Sequence, residues 1–315
     1  MSKLRSRAKA FFAATFCLAL WAAAAGAQPS LTPDQKQLND LTAAAAQGDH
    51  EAEYKLGVIY LTGNAGQENI GKAVALLEKA AKGGQANAAF ALGALYHRGV
   101  LVQKNLDAAV NYYRAAVERG NPNAENALAQ LLLRGEGVQR DEGTAAILME
   151  KAAAQGLMEA KANFGMLLVE GRGIAEDAPR GFNLIHEAAQ AGLPGAIHNL
   201  AWLYQSGSGV TQDQAKALEW YKRAAELGYP PSQFNLGLME MQGQGGKADP
   251  VDGMKWLMLA AAGNDGETGR RAAELVRRLS AKMPKQQILD AGEAARLWLI
   301  RSGAGANAAR QDGKS

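Results

Sequence analysis

Hydrophobic and polar residues follow a helical period through most of the chain, and the whole pattern recurs every 36 residues. In the first unit Ala52, Leu56 and Tyr60 are spaced four residues apart, which places them on one face of a helix. A second apolar stripe, which includes Leu76 and Leu77, follows after a short polar segment. The pattern therefore predicts a pair of short helices in each 36-residue unit.

Two recurring sets of residues mark the first helix of each unit. A Leu-Gly pair, or a close variant of it, recurs without insertion as Leu56-Gly57, Leu92-Gly93, Leu128-Ala129, Phe164-Gly165, Leu200-Ala201 and Leu236-Gly237. A single glycine then recurs seven residues after each Leu or Phe, as Gly63, Gly99, Gly135, Gly171, Gly207 and Gly243. Glycine takes the left-handed conformation that ends many helices, so these positions predict where each first helix stops.

Two further sets of residues mark the second helix of each unit. Short side chains with an acceptor oxygen recur as Asn69, Asn105, Asp141, Asp177, Asp213 and Asp249. Such side chains cap the free backbone amides of a helix start, so we interpret them as N-caps. A second glycine recurs as Gly84, Gly120, Gly156, Gly192 and Gly228, with Asn264 in the sixth place, and predicts the end of the second helix.

The predicted fold class is an all-α, right-handed α-solenoid of six helix-turn-helix repeats over residues 50–264. Two helices of about 12 residues are marginally stable alone, so each pair requires the next pair to cover its apolar face. We predict a linker and an N-terminal capping helix over 28–49, and two C-terminal capping helices over 265–302. The small, polar segment 303–315 is predicted to be a disordered tail.

The first 27 residues have the pattern of a signal peptide. A basic start is followed by the apolar stretch 10–25 and by the small residues Ala25-Gly26-Ala27. We predict cleavage after Ala27 and a periplasmic or secreted protein that is not inserted in a membrane. The alternative is an uncleaved anchor, although the apolar stretch is shorter than the roughly 20 residues of a membrane span.

Removal of this segment changes the charge and the chemistry that the chain offers. Residues 1–27 carry four basic and no acidic residues, so the formal net charge falls from +3 to −1. The remaining chain therefore does not have the basic character of a nucleic-acid-binding protein. Cys17, the only cysteine, is removed as well, which excludes a disulfide or a thiolate site.

No motif of the sequence predicts a cofactor, a metal site or catalysis. The four histidines show no ligand spacing, and no grouping of nucleophile, base and acid is recognisable. Residues 66–72 match the phosphate-loop pattern G-x-x-x-x-G-K, but a predicted helix precedes them and no Ser or Thr follows. We therefore predict that the protein is not an enzyme and has no cofactor.

The repeat resembles the Sel1-like repeat family, which is related to the tetratricopeptide repeats. Residues 196–228 read AIHNLAWLYQSGSGVTQDQAKALEWYKRAAELG and contain nearly all of the characteristic positions of that family. The resemblance covers about residues 50–264 and implies a solenoid with an adaptor, receptor-like or regulatory role, often in bacterial envelopes. It therefore implies a protein or peptide of the cell envelope as the partner, and we predict that a monomer binds it.

Stacking of the tetratricopeptide type would place part of each first helix on a concave groove. The corresponding positions vary in chemistry between repeats, and their aromatic, amide and cationic side chains suit a bound protein segment. The predicted groove residues are Tyr54, Phe90, His97, Arg98, Asn126, Gln130, Arg134, His198, Trp202 and Phe234. The alternative at these positions is that some rings pack on the neighbouring repeat.

Two other functions remain open at this level. Cysteine-rich Sel1-type proteins have been linked to β-lactam binding and hydrolysis, which implies a possible envelope enzyme. The absence of cysteine after residue 27 weakens that comparison. A glycan binder that uses Trp202 and the groove amides is the third possibility.

Overall fold

The structure, a computed structural model, describes residues 35–63, 69–263 and 266–303. Over those residues the chain forms fifteen α-helices and no β-strand. The all-α fold of paired helices that the sequence predicts is confirmed. The predicted signal peptide, Asn264 and nearly all of the predicted tail lie outside the described residues.

The helices follow the predicted order. The N-terminal helix is α1 (Gln35–Ala46). The repeats contribute α2 (His50–Thr62), α3 (Ile70–Lys82), α4 (Ala86–Arg98), α5 (Leu106–Val117), α6 (Pro122–Arg134), α7 (Glu142–Ala154), α8 (Met158–Glu170), α9 (Ala178–Gln190), α10 (Pro194–Ser206), α11 (Gln214–Glu226), α12 (Pro230–Gln242) and α13 (Pro250–Ala262). The chain closes with α14 (Gly266–Ser280) and α15 (Lys285–Arg301).

The helices form two compact units, 1–160 and 161–315. In the first unit each helix from α1 to α7 packs on the next one along the chain. Its core includes Leu77, Leu92 and Leu95, which are at most 2% exposed. In the second unit α9 to α13 pack in the same sequential way, and both α14 and α15 pack on α13. The core there includes Tyr221 and Trp256.

Small residues in the Leu-Gly column allow the two helices of a repeat to cross closely. A Cβ atom added at Gly237 in α12 would lie 2.8 Å from the backbone oxygen of Gly253 in α13. In the second repeat, a Cβ atom at Gly93 would lie 2.5 Å from the ring of Tyr113. These glycines therefore serve close packing, whereas the loop glycines serve backbone conformation: Gly156, for example, has φ +89 and open space around it.

The predicted N-caps of the second helices are confirmed. Each of the six side chains accepts a hydrogen bond from a backbone amide in the first turn of its helix, at Asn69, Asn105, Asp141, Asp177, Asp213 and Asp249. Local sequence therefore defines where every second helix begins, because the capping side chain satisfies amides that have no partner within the helix.

We expect Asp213→Ala to lower the free energy of unfolding by about 1 kcal/mol, because the N-cap of α11 is lost. Asp213 Oδ1 accepts the backbone N–H of Lys216 at 3.0 Å. Asp213→Asn is the matched control, since an amide oxygen caps almost equally well. Urea unfolding followed by circular dichroism measures both variants. If the alanine variant unfolds at the same urea concentration as the wild type, the cap does not stabilise α11.

Candidate partner-binding surfaces

A patch of aromatic, imidazole and charged side chains lies on the second and third repeats. The rings of Phe90 and His97 in α4 lie 5.9 Å and 6.2 Å from the ring of Tyr113 in α5. His97 Nε2 is 3.7 Å from Glu136 Oε2, and Arg134 Nη1 is 3.9 Å from Glu136 Oε1. These five residues are termed the His97–Glu136 patch.

The electrostatics of the patch are set by burial and by one carboxylate. Burial lowers the pKa of His97, and the negative charge of Glu136 opposes this only in part. The imidazole is therefore neutral at pH 7. Burial also raises the pKa of the Tyr113 hydroxyl, so this hydroxyl group remains protonated. The patch thus offers an uncharged aromatic base beside one cation, Arg134, whose side chain is 59% exposed.

The structure brings several of the predicted groove residues together around this patch. Arg98 interacts with Tyr113, and burial lowers the pKa of its guanidinium group. Asn126, Gln130 and Arg134 are spaced by four residues and therefore share one face of α6. Asn126 and Gln130 are both half-buried. Phe90, His97 and Arg98 are thus linked through Tyr113, and His97 and Arg134 through Glu136.

Tyr54 does not belong to this surface. Its side chain is only 5% exposed and lies in a core cluster with Leu77, Leu92 and Leu95. The ring of Tyr54 packs on the neighbouring repeat, which was the alternative for this position. Two of these leucines, Leu92 and Leu95, belong to α4 of the second repeat. Tyr54 is therefore a core residue, which corrects its assignment to the groove.

In the second unit, His198 is enclosed by neighbouring side chains. Its Nδ1 atom lies 2.8 Å from Ser232 Oγ, and the rings of Tyr221 and Tyr229 lie 5.3 Å and 5.4 Å away. Burial lowers the pKa of His198 to about 4. The imidazole is therefore neutral at pH 7 and mainly holds α10, α11 and α12 together.

The other two predicted residues of the second unit differ in accessibility. Trp202 in α10 is 37% exposed. Phe234 in α12 is half-buried, and the guanidinium carbon of Arg271 lies 5.2 Å from its ring centre. This cation–π contact comes from α14, so the C-terminal capping helix contributes to the surface beside Phe234.

Sequence reasoning missed Tyr113 and Glu136. Tyr113 is 2% exposed and lies in a second helix, where the periodic pattern predicts only packing residues. The recurrence of Tyr at this position could have indicated Tyr113, since Tyr221 occupies the equivalent position and also lies beside an imidazole, that of His198. Glu136 lies in the loop after α6, which the pattern marks only as a turn.

Two carboxyl groups with opposite pKa shifts lie between α12 and α13. Burial raises the pKa of Glu240 to about 8, and the neighbouring Asp252 adds to this effect. Burial also acts to raise the pKa of Asp252, but its hydrogen bond and charge interaction with Lys255 outweigh that effect and the pKa is lowered. Trp256 Nε1 donates to Asp252 Oδ2 at 3.0 Å. Glu240 therefore holds a proton at pH 7 while Asp252 is charged.

We expect the protein to lose stability as the pH rises from about 4.5 to about 8, because the raised pKa of Glu240 favours the folded state only while the group is protonated. Asp252, with its lowered pKa, does not titrate in that range. Glu240→Gln should remove this pH dependence and raise the free energy of unfolding at pH 8 by about 1–2 kcal/mol. Urea unfolding at pH 5 and pH 8 measures the effect. If the free energy of unfolding changes equally between pH 5 and pH 8 in the wild type and the variant, Glu240 does not titrate in this pH range.

The described residues show neither a metal cluster nor a membrane span. Within them, no three His, Cys, Asp or Glu side chains lie close enough to hold an ion. None of their helices combines the length and the apolar character that crossing a bilayer requires.

Comparison with protein families identifies the repeat. The Sel1 repeat profile matches six consecutive segments, which are 50–85, 86–121, 122–157, 159–193, 194–229 and 230–265. These segments coincide with the six helix pairs from α2 to α13. A comparison with curated proteins gave no significant match.

Two solved structures with similar folds are bacterial proteins. A Sel1 repeat protein from Oxalobacter formigenes is 29% identical, with a TM-score of 0.66, and the match covers 79% of this chain and 96% of that one. A protective antigen present in uropathogenic Escherichia coli strains is 25% identical, with a TM-score of 0.65. The match covers 86% of this chain but only 56% of the antigen, so this chain spans about half the length of that relative.

Proposed function

Because the chain belongs to the Sel1 repeat family, whose repeats act as protein–protein interaction modules, we propose that it binds a partner protein of the bacterial cell envelope. The proposed location is the periplasm or the cell exterior, and the proposed route is a signal peptide cut after Ala27. The Sel1 repeat fold is typically a non-catalytic scaffold. A binding role is therefore the function proposed here.

The His97–Glu136 patch is the observation that carries this proposal. It groups the half-buried ring of Phe90, the imidazole of His97, the exposed guanidinium group of Arg134 and the carboxylate of Glu136 with the buried ring of Tyr113. Aromatic and Arg side chains contribute most of the binding energy in protein interfaces.

Mutation of the patch tests whether it binds the partner. The immobilised protein should retain a specific envelope protein, and Phe90→Ala with Arg134→Ala should reduce that retention at least about tenfold. The control is Asn111→Ala with Arg119→Ala, which shortens one exposed polar side chain and one exposed cationic side chain outside the patch. Quantitative mass spectrometry of the retained proteins measures the effect, and circular dichroism checks the fold. Equal retention by the patch variant would refute the proposed site.

Mass spectrometry of the protein purified from the cell envelope tests export separately. We expect an N-terminus at Gln28, since the small residues before it fit signal peptidase. An intact first residue in the envelope protein would contradict cleavage and would favour the anchored alternative.

A further inference from the structure

In the second repeat, an aromatic pair fills a space beside the first helix. This space lies on the side of the helix that faces the preceding repeat. The ring of Tyr96 in α4 stacks on the ring of Tyr112 in α5, with centres 5.8 Å apart and an angle of 5° between the planes. The Tyr112 hydroxyl donates to Glu78 Oε1 in the preceding repeat at 3.2 Å. The two rings therefore fill this space, and the carboxylate of Glu78 has a hydrogen-bond donor within the chain.

The fifth repeat fills the equivalent space in a similar way. Tyr204 and Trp220 stand at the positions of Tyr96 and Tyr112. The ring of Tyr204 lies 5.6 Å from the ring of Phe182, and the ring of Trp220 lies 6.2 Å from His186, which occupies the position of Glu78. An aromatic pair that reaches back to the preceding repeat is thus a recurring arrangement in both units.

The third repeat lacks both rings. Leu132 and Leu148 occupy the two aromatic positions, and a cleft of about 500 Å³ is present beside Leu132. The cleft is lined by Arg114, Leu128, Leu132, Val138, Gln139, Arg140, Asp141 and Thr144. Leu128 and Leu132 are 5% and 7% exposed, so they form an apolar floor. The cleft has the size to accept an aromatic side chain.

The charge in the cleft is reversed relative to the second repeat. Arg114 stands at the position of Glu78, and among the described residues its guanidinium group has no hydrogen-bond or ion-pair partner. Asp141 also lines the cleft, but its two oxygens accept the backbone N–H of Thr144 at 3.0 Å and the hydroxyl of Thr144 at 2.6 Å. Arg140 pairs with Glu142 at 2.5 Å. Asp141 stays ionised, because its hydrogen bonds with Thr144 lower the pKa of its carboxyl group. The cleft therefore presents the guanidinium group of Arg114 without a partner, beside a carboxylate whose oxygens are already occupied by Thr144.

An apolar side chain on the same helix extends this surface. Ile147 is 68% exposed, and it lies three residues after Thr144, so the two share one side of α7. An exposed Ile beside an apolar cleft with an unpaired Arg has the character of a protein-binding surface rather than of a solvated helix face.

We propose that this cleft binds a segment of a partner protein in which an aromatic side chain stands next to an Asp or Glu side chain. The ring enters the space that Tyr96 and Tyr112 fill in the second repeat, and the carboxylate pairs with Arg114. None of the lining residues belongs to the His97–Glu136 patch. The site is therefore independent of the one under the proposed function.

Three synthetic peptides test the two halves of the proposal on the full-length protein. Acetyl-Ala-Asp-Tyr-Ala-amide should bind saturably in an NMR titration and shift the amide resonances of Val138 and Thr144. The Asn-Tyr and Asp-Ala versions should bind at least about tenfold more weakly, since one lacks the charge and the other lacks the ring. No saturable binding of the first peptide, or equal binding of all three, would overturn the proposal.

Variants of the cleft complete the test. Leu132→Tyr with Leu148→Tyr rebuilds the aromatic pair of the second repeat and should abolish peptide binding while the melting temperature is kept. Arg114→Ala should weaken binding about tenfold. Arg119→Ala, which removes an exposed cation just after the end of the same helix, should not. Phe90→Ala with Arg134→Ala should leave peptide binding unchanged, which separates this site from the patch. Undiminished binding by the filled variant would show that the peptide binds elsewhere.

Discussion

We expect Gly181→Ala to lower the free energy of unfolding by about 3 kcal/mol, although alanine is the better helix former by about 1 kcal/mol. A Cβ atom at this position would lie 2.5 Å from the backbone oxygen of Gly165 and 2.7 Å from Val169 Cγ2. A flexible side chain can move away from such a contact, but a backbone oxygen within a helix cannot. The substitution must therefore push α8 and α9 apart and disturb the core between them.

Gly292→Ala is the matched control for this substitution. Gly292 lies within α15, and a Cβ atom there would have no heavy atom within 4 Å. Only the helix propensity changes, so this variant should be more stable by up to about 1 kcal/mol. The same chemical change therefore has opposite signs at the two sites. Urea unfolding measures both, and a Gly181→Ala variant as stable as the wild type would mean that α8 and α9 do not cross closely.

The second large effect is expected at Glu125, a fully buried carboxylate at the start of α6. Its oxygens lie 2.7 Å from Lys151 Nζ and accept the side-chain amide of Gln155 at 2.7 Å. Glu125→Lys would place two ammonium groups together and leave one of them buried. Loss of one partner from a buried ion pair costs about 3–5 kcal/mol. We expect about 3 kcal/mol, since Lys151 is itself 54% exposed and solvent screens its charge.

The chain itself contains the arrangement that should rescue this variant. In the fourth repeat the same two positions hold Lys161 and Glu187, which form an ion pair of reversed polarity. Glu125→Lys combined with Lys151→Glu should therefore recover most of the lost stability. A double-mutant cycle by urea unfolding should give a coupling energy of about 2–3 kcal/mol. A double variant no more stable than Glu125→Lys would show that the two side chains do not interact.

The sequence by itself determined the parts of the fold that depend on short-range interactions. Helix starts depend on one capping side chain, so Asn105 and Asp141 alone predict where α5 and α7 begin. Helix ends depend on glycines with positive φ, such as Gly99 with φ +65. Because these features recur every 36 residues without insertion, the number of helix pairs and their family could also be predicted.

The candidate binding sites could be predicted only in part, because they depend on contacts between repeats. Periodicity placed Phe90 and Arg134 on the surface, but it could not show that Tyr54 is covered by α4. Neither could it show that Glu136, in a loop, lies beside His97.

Tertiary structure alone decided what each departure from the repeat means. Leu132 stands where the second repeat has Tyr96, and a cleft of about 500 Å³ lies beside it. Replacement of Tyr by Glu240 at the equivalent position creates a buried acid whose pKa is raised to about 8, because burial removes the carboxyl group from water and the negative charge of Asp252 further disfavours its ionisation. The same kind of substitution thus has two different consequences. The physical reason is that burial and charge at a repeat position are set by the side chains that the adjacent helices place against it.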